Sequence, residues 1–145
     1  MFLLDTNVVS ELRKQKPHGA VVAWLSAQNT SQLFISAMTA GEIQRGIEIT
    51  REQDVQKAAS LESWLERVLA SDHVLPLDAP VCRAWARLMH GRSDTLAEDA
   101  FIAATAVVHR LTVVTRNVRD FKALGVVCLN PFNTGRARGE LSPAN

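Results

Sequence analysis

The chain carries no strong excess of charge of either sign. Sixteen Lys and Arg stand against fifteen Asp and Glu, for a formal net charge of +1. This excludes a protein that coats nucleic acid through its overall field, so contacts to a polyanion must come from local basic groups. No run of eighteen apolar residues is present, which leaves no candidate membrane-spanning helix. The opening MFLLDTNVVSEL has an acid at position 5 and no basic region, so it does not read as a signal peptide, and a cytoplasmic location is expected. Only two cysteines occur, Cys82 and Cys128, without CxxC or Cys/His spacing; they are expected to be buried, reduced thiols. The four histidines (His18, His73, His90, His109) are scattered, which predicts surface or helix-capping roles. GxSxG, P-loop and GxGxxG motifs are missing, as are repeats and low-complexity blocks.

What remains is an ordinary globular composition, 47% hydrophobic and 21% charged, over 145 residues. That length suits one domain with a core of its own. Met1–Leu4 reads as a buried strand ending in Asp5, and Thr6–Arg13 as a short helix. Lys14–Gly19 is a polar turn, Ala20–Ser26 a helix and Leu33–Ser36 a second strand. Thr39–Ile49 reads as a helix opened by a Thr39/Glu42 capping box. Gln53–Ser71 has helical periodicity, Val74–Leu77 is a short strand and Pro80–His90 a helix. Thr95–Leu111 begins with a second Thr-x-x-Glu box, Thr95 and Glu98, and is apolar on nearly every face, as a helix buried against a sheet would be. Thr112–Thr115 is a β-branched strand, Arg116–Phe121 a polar turn and Val126–Leu129 a last strand. Strands alternating with helices predict an α/β sandwich around a mainly parallel sheet. Residues 1–133 are expected to form the domain and 134–145 a polar, flexible tail.

In such a sheet, sites form outside the carboxyl ends of the strands. Asp5 ends the first strand, Glu42 lies in the first turn after the second, and Asp120 lies in the turn after TVVT. Asp99 opens the apolar helix, where the helix dipole favours an anion. If they converge, two carboxylates about 4 Å apart repel by roughly 4 kcal/mol at an effective dielectric of 20, so a cation or protons must neutralise them. A hard dication such as Mg²⁺ or Mn²⁺ suits carboxylate and water oxygens, whereas zinc favours His or Cys. The alternative is that these acids only cap helices and turns.

Three fragments carry a resemblance. MFLLDTNVVSEL, ISAMTAGEIQRGI and EDAFIAATAVVHRLTVVTRNVRDFKALGVVCLNPF, in this order and spacing, resemble PIN-domain toxins of the VapC family, in particular its FitB-like subgroup. The likeness runs from residue 1 to about 133 and implies a PIN-like α/β/α sandwich. It further implies a Mg²⁺-dependent endoribonuclease (Mn²⁺ serving equally), the toxin of a type II toxin–antitoxin system. Such an enzyme hydrolyses RNA phosphodiesters by in-line attack of a metal-activated water. By position, Asp5 and Asp99 match metal ligands, and Glu42 completes the pocket directly or through water. Many relatives have an acid where this chain has Asn117; Asp120, three residues on, is assigned an assisting role, and Asn117 a water or substrate oxygen. Thr6 and Thr115 match small hydroxyl residues that orient a carboxylate or a water. The resemblance also implies a VapB-like antitoxin, reaching the acids with an Arg or Lys, and a homodimer.

Trp24, Trp64 and Trp85 sit on apolar helical stripes, which points to packing over base stacking. Arg116 and Arg119 flank the expected site and are either phosphate contacts or solvated turn residues. Arg136 and Arg138 read as solvated tail residues. Two other functions remain: a catalytically silent PIN-like module that binds a partner in a DNA-bound regulatory complex, and a domain that uses Asp5 as phosphoryl acceptor. The latter lacks a second acid two residues after Asp5.

Overall fold

The computed structural model describes residues 1–71 and 73–133. Among the described residues, five strands form one sheet: β1 (Phe2–Leu4), β2 (Leu33–Ser36), β3 (Val74–Leu75), β4 (Thr112–Val114) and β5 (Cys128–Leu129). Their order is β3-β2-β1-β4-β5 and every pairing is parallel. Seven α-helices among the described residues cover it: α1 (Thr6–Glu11), α2 (Gly19–Ser26), α3 (Ala37–Arg51), α4 (Val55–Leu69), α5 (Ala79–Met89), α6 (Ala97–His109) and α7 (Val118–Ala123).

Successive strand residues point to opposite faces, and the core divides accordingly. Leu3 and Val113 pack on one face with Ala100, Ile102, Ala103 and Ala106 of α6 and Phe121 of α7. Their neighbours Leu4 and Val114 pack on the other, with Val8 and Val9 of α1, Ile43 and Ile47 of α3 and Leu65 of α4. Both faces are thus covered, as a parallel sheet requires, and the expected α/β/α sandwich is the observed one. The tryptophans pack as their stripes predicted. Trp24 meets Phe2 edge-on at 5.0 Å, Trp64 joins the second core, and Trp85 stacks on Phe101 at 4.4 Å.

Several local expectations need correction. Neither capping box forms. Helix α3 starts directly at the end of β2, where the Ser36 hydroxyl accepts from Met38 N, so Thr39 lies inside the helix and Glu42 a turn deeper than expected. Ahead of α6, Ser93 caps a 3-10 turn over Asp94–Leu96, which takes up Thr95 and leaves the helix with no side-chain cap. Arg116–Phe121 is not simply a turn, because its last four residues belong to α7. Fully buried Phe121 and nearly buried Leu124, three residues apart, supply an apolar stripe among charged neighbours. Cys82 is exposed and Cys128 half-buried, so neither is a core thiol. His18 is the N-cap of α2, its Nδ1 accepting from Ala20 N. The tail at 134–145, with Arg136 and Arg138, lies outside the described residues.

Candidate functional site

Because all strands are parallel, β1, β2 and β4 deliver their last residues to one edge. Asp5 follows β1 and is 4% exposed. It caps α1, its Oδ1 accepting from Thr6 N at 2.7 Å. Its Oδ2 accepts from Thr115 Oγ1 at 2.7 Å and from Asn7 Nδ2 at 3.1 Å. Thr115, wholly buried after β4, in turn accepts from Asn117 N at 2.9 Å. The side-chain amide of Asn117 then donates to both Asp99 Oδ2 (3.0 Å) and Asp120 Oδ2 (2.9 Å). On the other side of Asp5, Thr6 Oγ1 lies 3.2 Å from Glu42 Oε1 and 3.1 Å from Thr39 Oγ1.

One continuous polar network therefore joins all four acids. Asp5 arrives from a strand end, Glu42 from the second turn of α3, Asp99 from the first turn of α6 and Asp120 from the first turn of α7. The two hydrogens of the Asn117 amide are spent on carboxylates, which leaves its oxygen, rather than its nitrogen, for a ligand. Arg116 is tethered beside the site through its N–H to Asn7 Oδ1 (3.2 Å), and its guanidinium lies 3.8 Å over the Phe132 ring.

The acids disturb one another. Burial raises the Asp5 carboxyl above its usual range, against the lowering effect of hydrogen bonds from Thr115, Thr6 and Asn7. Burial, then repulsion from Asp5, Glu98 and Asp99, pushes Glu42 up to about 7. Burial, then Asp5 and Asp120, pushes Asp99 up to about 6. The donor set is all oxygen, the chemistry of a hard cation. Among the described residues no three His, Cys, Asp or Glu side chains are grouped as a ready-made ion cage.

Some residues of the site escaped sequence reasoning. Thr39 is fully buried and braces Thr6. Asn7 holds both Asp5 and the backbone of Arg116. Glu98 makes a two-pronged bond to Arg45 of α3, at 2.6 and 3.0 Å, tying the two acid-bearing helices together. The signal for Asn7 was its place two residues after Asp5; Thr39 was marked only as a helix cap, and nothing local marked Arg45.

Fold and site together define an α/β domain whose parallel sheet gathers a carboxylate cluster at its carboxyl edge, the arrangement expected of a metal-assisted hydrolase. The sequence model of the PIN domain family matches residues 2–127, and the chain belongs to that family. It is 36% identical over 141 residues to Toxin FitB of Neisseria gonorrhoeae, covering 92% of this chain and 99% of that protein. It is 38% identical to VapC ribonuclease Y4jK of Sinorhizobium fredii, covering 91% and 98% of the two chains. The crystal structure of FitAcB from Neisseria gonorrhoeae superposes with a TM-score of 0.79 at 36% identity, covering 91% of this chain and 99% of that one.

Proposed function

We propose that this protein is an endoribonuclease dependent on Mg²⁺ or Mn²⁺, the toxin of a type II toxin–antitoxin system, and that it hydrolyses RNA phosphodiester bonds. The observation that carries this reading is the single hydrogen-bonded network joining Asp5, Glu42, Asp99 and Asp120. Relatives that match the chain nearly end to end are a toxin and a VapC ribonuclease, which supports the same assignment.

The residues fit the ion. Mg²⁺ keeps several waters and needs one or two carboxylates plus substrate phosphate, so a three-residue cage is not required. Burial, and for Glu42 and Asp99 repulsion from neighbouring acids as well, holds these carboxyls above their ordinary range, and a dication relieves both costs. Asp5 and Asp99 hold the ion, Glu42 completes the pocket directly or through water, and Asp120 assists. When bound, the ion supplies Lewis-acid activation of water and of the phosphate. Thr115, Asn7 and Thr6 fix the Asp5 carboxylate, Asn117 fixes Asp99 and Asp120, and Arg116 meets an RNA phosphate. The protein acts in the cytoplasm as a homodimer, restrained by a VapB-like antitoxin. No helix among the described residues is long and apolar enough to cross a membrane.

The test is cleavage of a pool of short RNAs by the purified protein. Cutting is expected in Mn²⁺ or Mg²⁺ and none in EDTA. Asp99→Asn, which keeps an oxygen to accept from Asn117, is expected to retain the fold by thermal melt and to cut at least about a hundredfold more slowly, the scale of losing one charge-stabilising group. Cleavage that persists in EDTA overturns the reading.

A further inference from the structure

Beside Glu42, helices α1, α3 and α4 line a pocket of about 130 Å³, the space of roughly four waters. It shares Thr6 and Glu42 with the acidic network, so an occupant borders that network on its Glu42 side. Ile43, Ile47 and Leu61 give it apolar walls, and Ser10 and Arg13 add a hydroxyl and a guanidinium. Arg13 is exposed and makes no hydrogen bond or ion pair among the described residues.

Gly46 is an independent observation. It stands inside α3, where glycine weakens a helix. Its backbone is not left-handed, and a Cβ built on it meets no heavy atom within 4 Å. Neither conformation nor close packing therefore requires a glycine here. What its missing side chain leaves bare is the wall of this pocket.

We infer that the pocket is a nucleobase subsite, seating the base next to the bond that is cut; the inference rests on the nuclease reading above. Single-stranded RNA is recognised by splaying bases out, packing their flat faces on apolar or planar groups and bonding their edges. The three aliphatic walls suit a ring's faces, and Ser10 and Arg13 suit its polar edge. The space is too small for a helix or strand of another protein. A single side chain of a protein partner is the competing occupant, but the pocket's continuity with Thr6 and Glu42 favours a group covalently attached to the reacting phosphate.

Gly46→Leu fills the pocket with a residue that helices favour, and Arg13→Ala alters it without touching α3. A short RNA that the wild-type protein cuts in Mn²⁺ is compared with versions carrying an abasic residue on either side of the cut bond. One abasic position is expected to slow the wild type roughly tenfold, the scale of one lost base contact. Gly46→Leu is expected to cut the intact RNA slowly, to be indifferent to the abasic change and to melt no lower than wild type. Arg13→Ala is expected to show a reduced abasic effect. An abasic effect of equal size in Gly46→Leu and wild type, or no sensitive position, overturns the inference. If the wild type cuts no RNA, the nuclease reading falls first, and fluorescence anisotropy with the same labelled RNAs decides the pocket. A preference for intact RNA that Gly46→Leu abolishes then supports the base subsite; an unchanged preference, or no binding, overturns it.

Discussion

The two ends of the sheet are made by the same strands and have opposite chemistry. At the carboxyl end stand Asp5 just after β1, Ser36 at the end of β2 and Thr115 just after β4, polar residues with 4%, 0% and 0% exposure. At the amino end of the same three strands stand Met1, Leu33 and Leu111, all apolar. Interior polar groups persist only where each finds partners. Asp5 has three donors, and Ser36 Oγ accepts from Met38 N and lies 3.2 Å from Thr105 Oγ1. The amino end needs no such bookkeeping, since its packing is non-directional. One end is therefore held by contacts that any well-shaped hydrophobe satisfies. The other is a directed network that carries repulsion between its acids.

The largest expected effect separates the ends. Leu111→Ala, at the amino end, should cost about 2–5 kcal/mol of stability, the range for deleting a core leucine, and leave Mn²⁺ affinity per folded molecule unchanged. Chemical denaturation and titration calorimetry measure the two quantities; a loss of Mn²⁺ affinity would break the comparison. A cut at the other end should move both quantities. Thr115→Val removes the hydroxyl that donates to Asp5 Oδ2 and accepts from Asn117 N. It is expected to weaken Mn²⁺ binding roughly 10–100-fold and to cost about 1–3 kcal/mol of stability.

The smallest effect is a pH dependence whose sign is set by the acids. Glu42 and Asp99 have folded pKa values of about 7 and about 6, above their ordinary 4.5 and 3.8. The stability they contribute is fully present below the ordinary values and is lost as pH rises through the folded ones. Glu11, held low by Lys14, has the opposite sign and acts below its ordinary 4.5, outside that window. In EDTA the melting temperature should therefore fall by roughly 2–4 °C between about pH 5 and pH 7.5, and Mn²⁺ should abolish the fall. A melting temperature that rises with pH in EDTA would overturn the raised carboxyl pKa values of Glu42 and Asp99.

Most of the fold was legible because hydrophobic periodicity reports burial directly. The strand at Leu33–Ser36 and the helices around Trp24, Trp64 and Trp85 follow it closely. Helix starts were less legible. Thr39 and Thr95 carry the right capping spacing, but Ser36 and Ser93 compete locally and take the caps. Helix α7 was hidden because Arg116, Arg119 and Asp120 surround its buried Phe121. In the acidic network, Asp5, Glu42, Asp99 and Asp120 were nameable from strand ends and helix starts, whereas Thr39 was legible only as a helix cap and Arg45 not at all. Their partners, Thr6 and Glu98, are 33 and 53 residues away in the chain.

The order of apolar runs along the chain was enough to predict a mainly parallel sheet and to put acids beyond its strands, because strands buried on two sides are predominantly apolar and charged residues are driven to their ends. Only the folded chain decided that Asn117 would clasp Asp99 and Asp120 together while Thr115 clasped Asp5, because hydrogen bonds between distant residues depend on positions in space that no local pattern encodes.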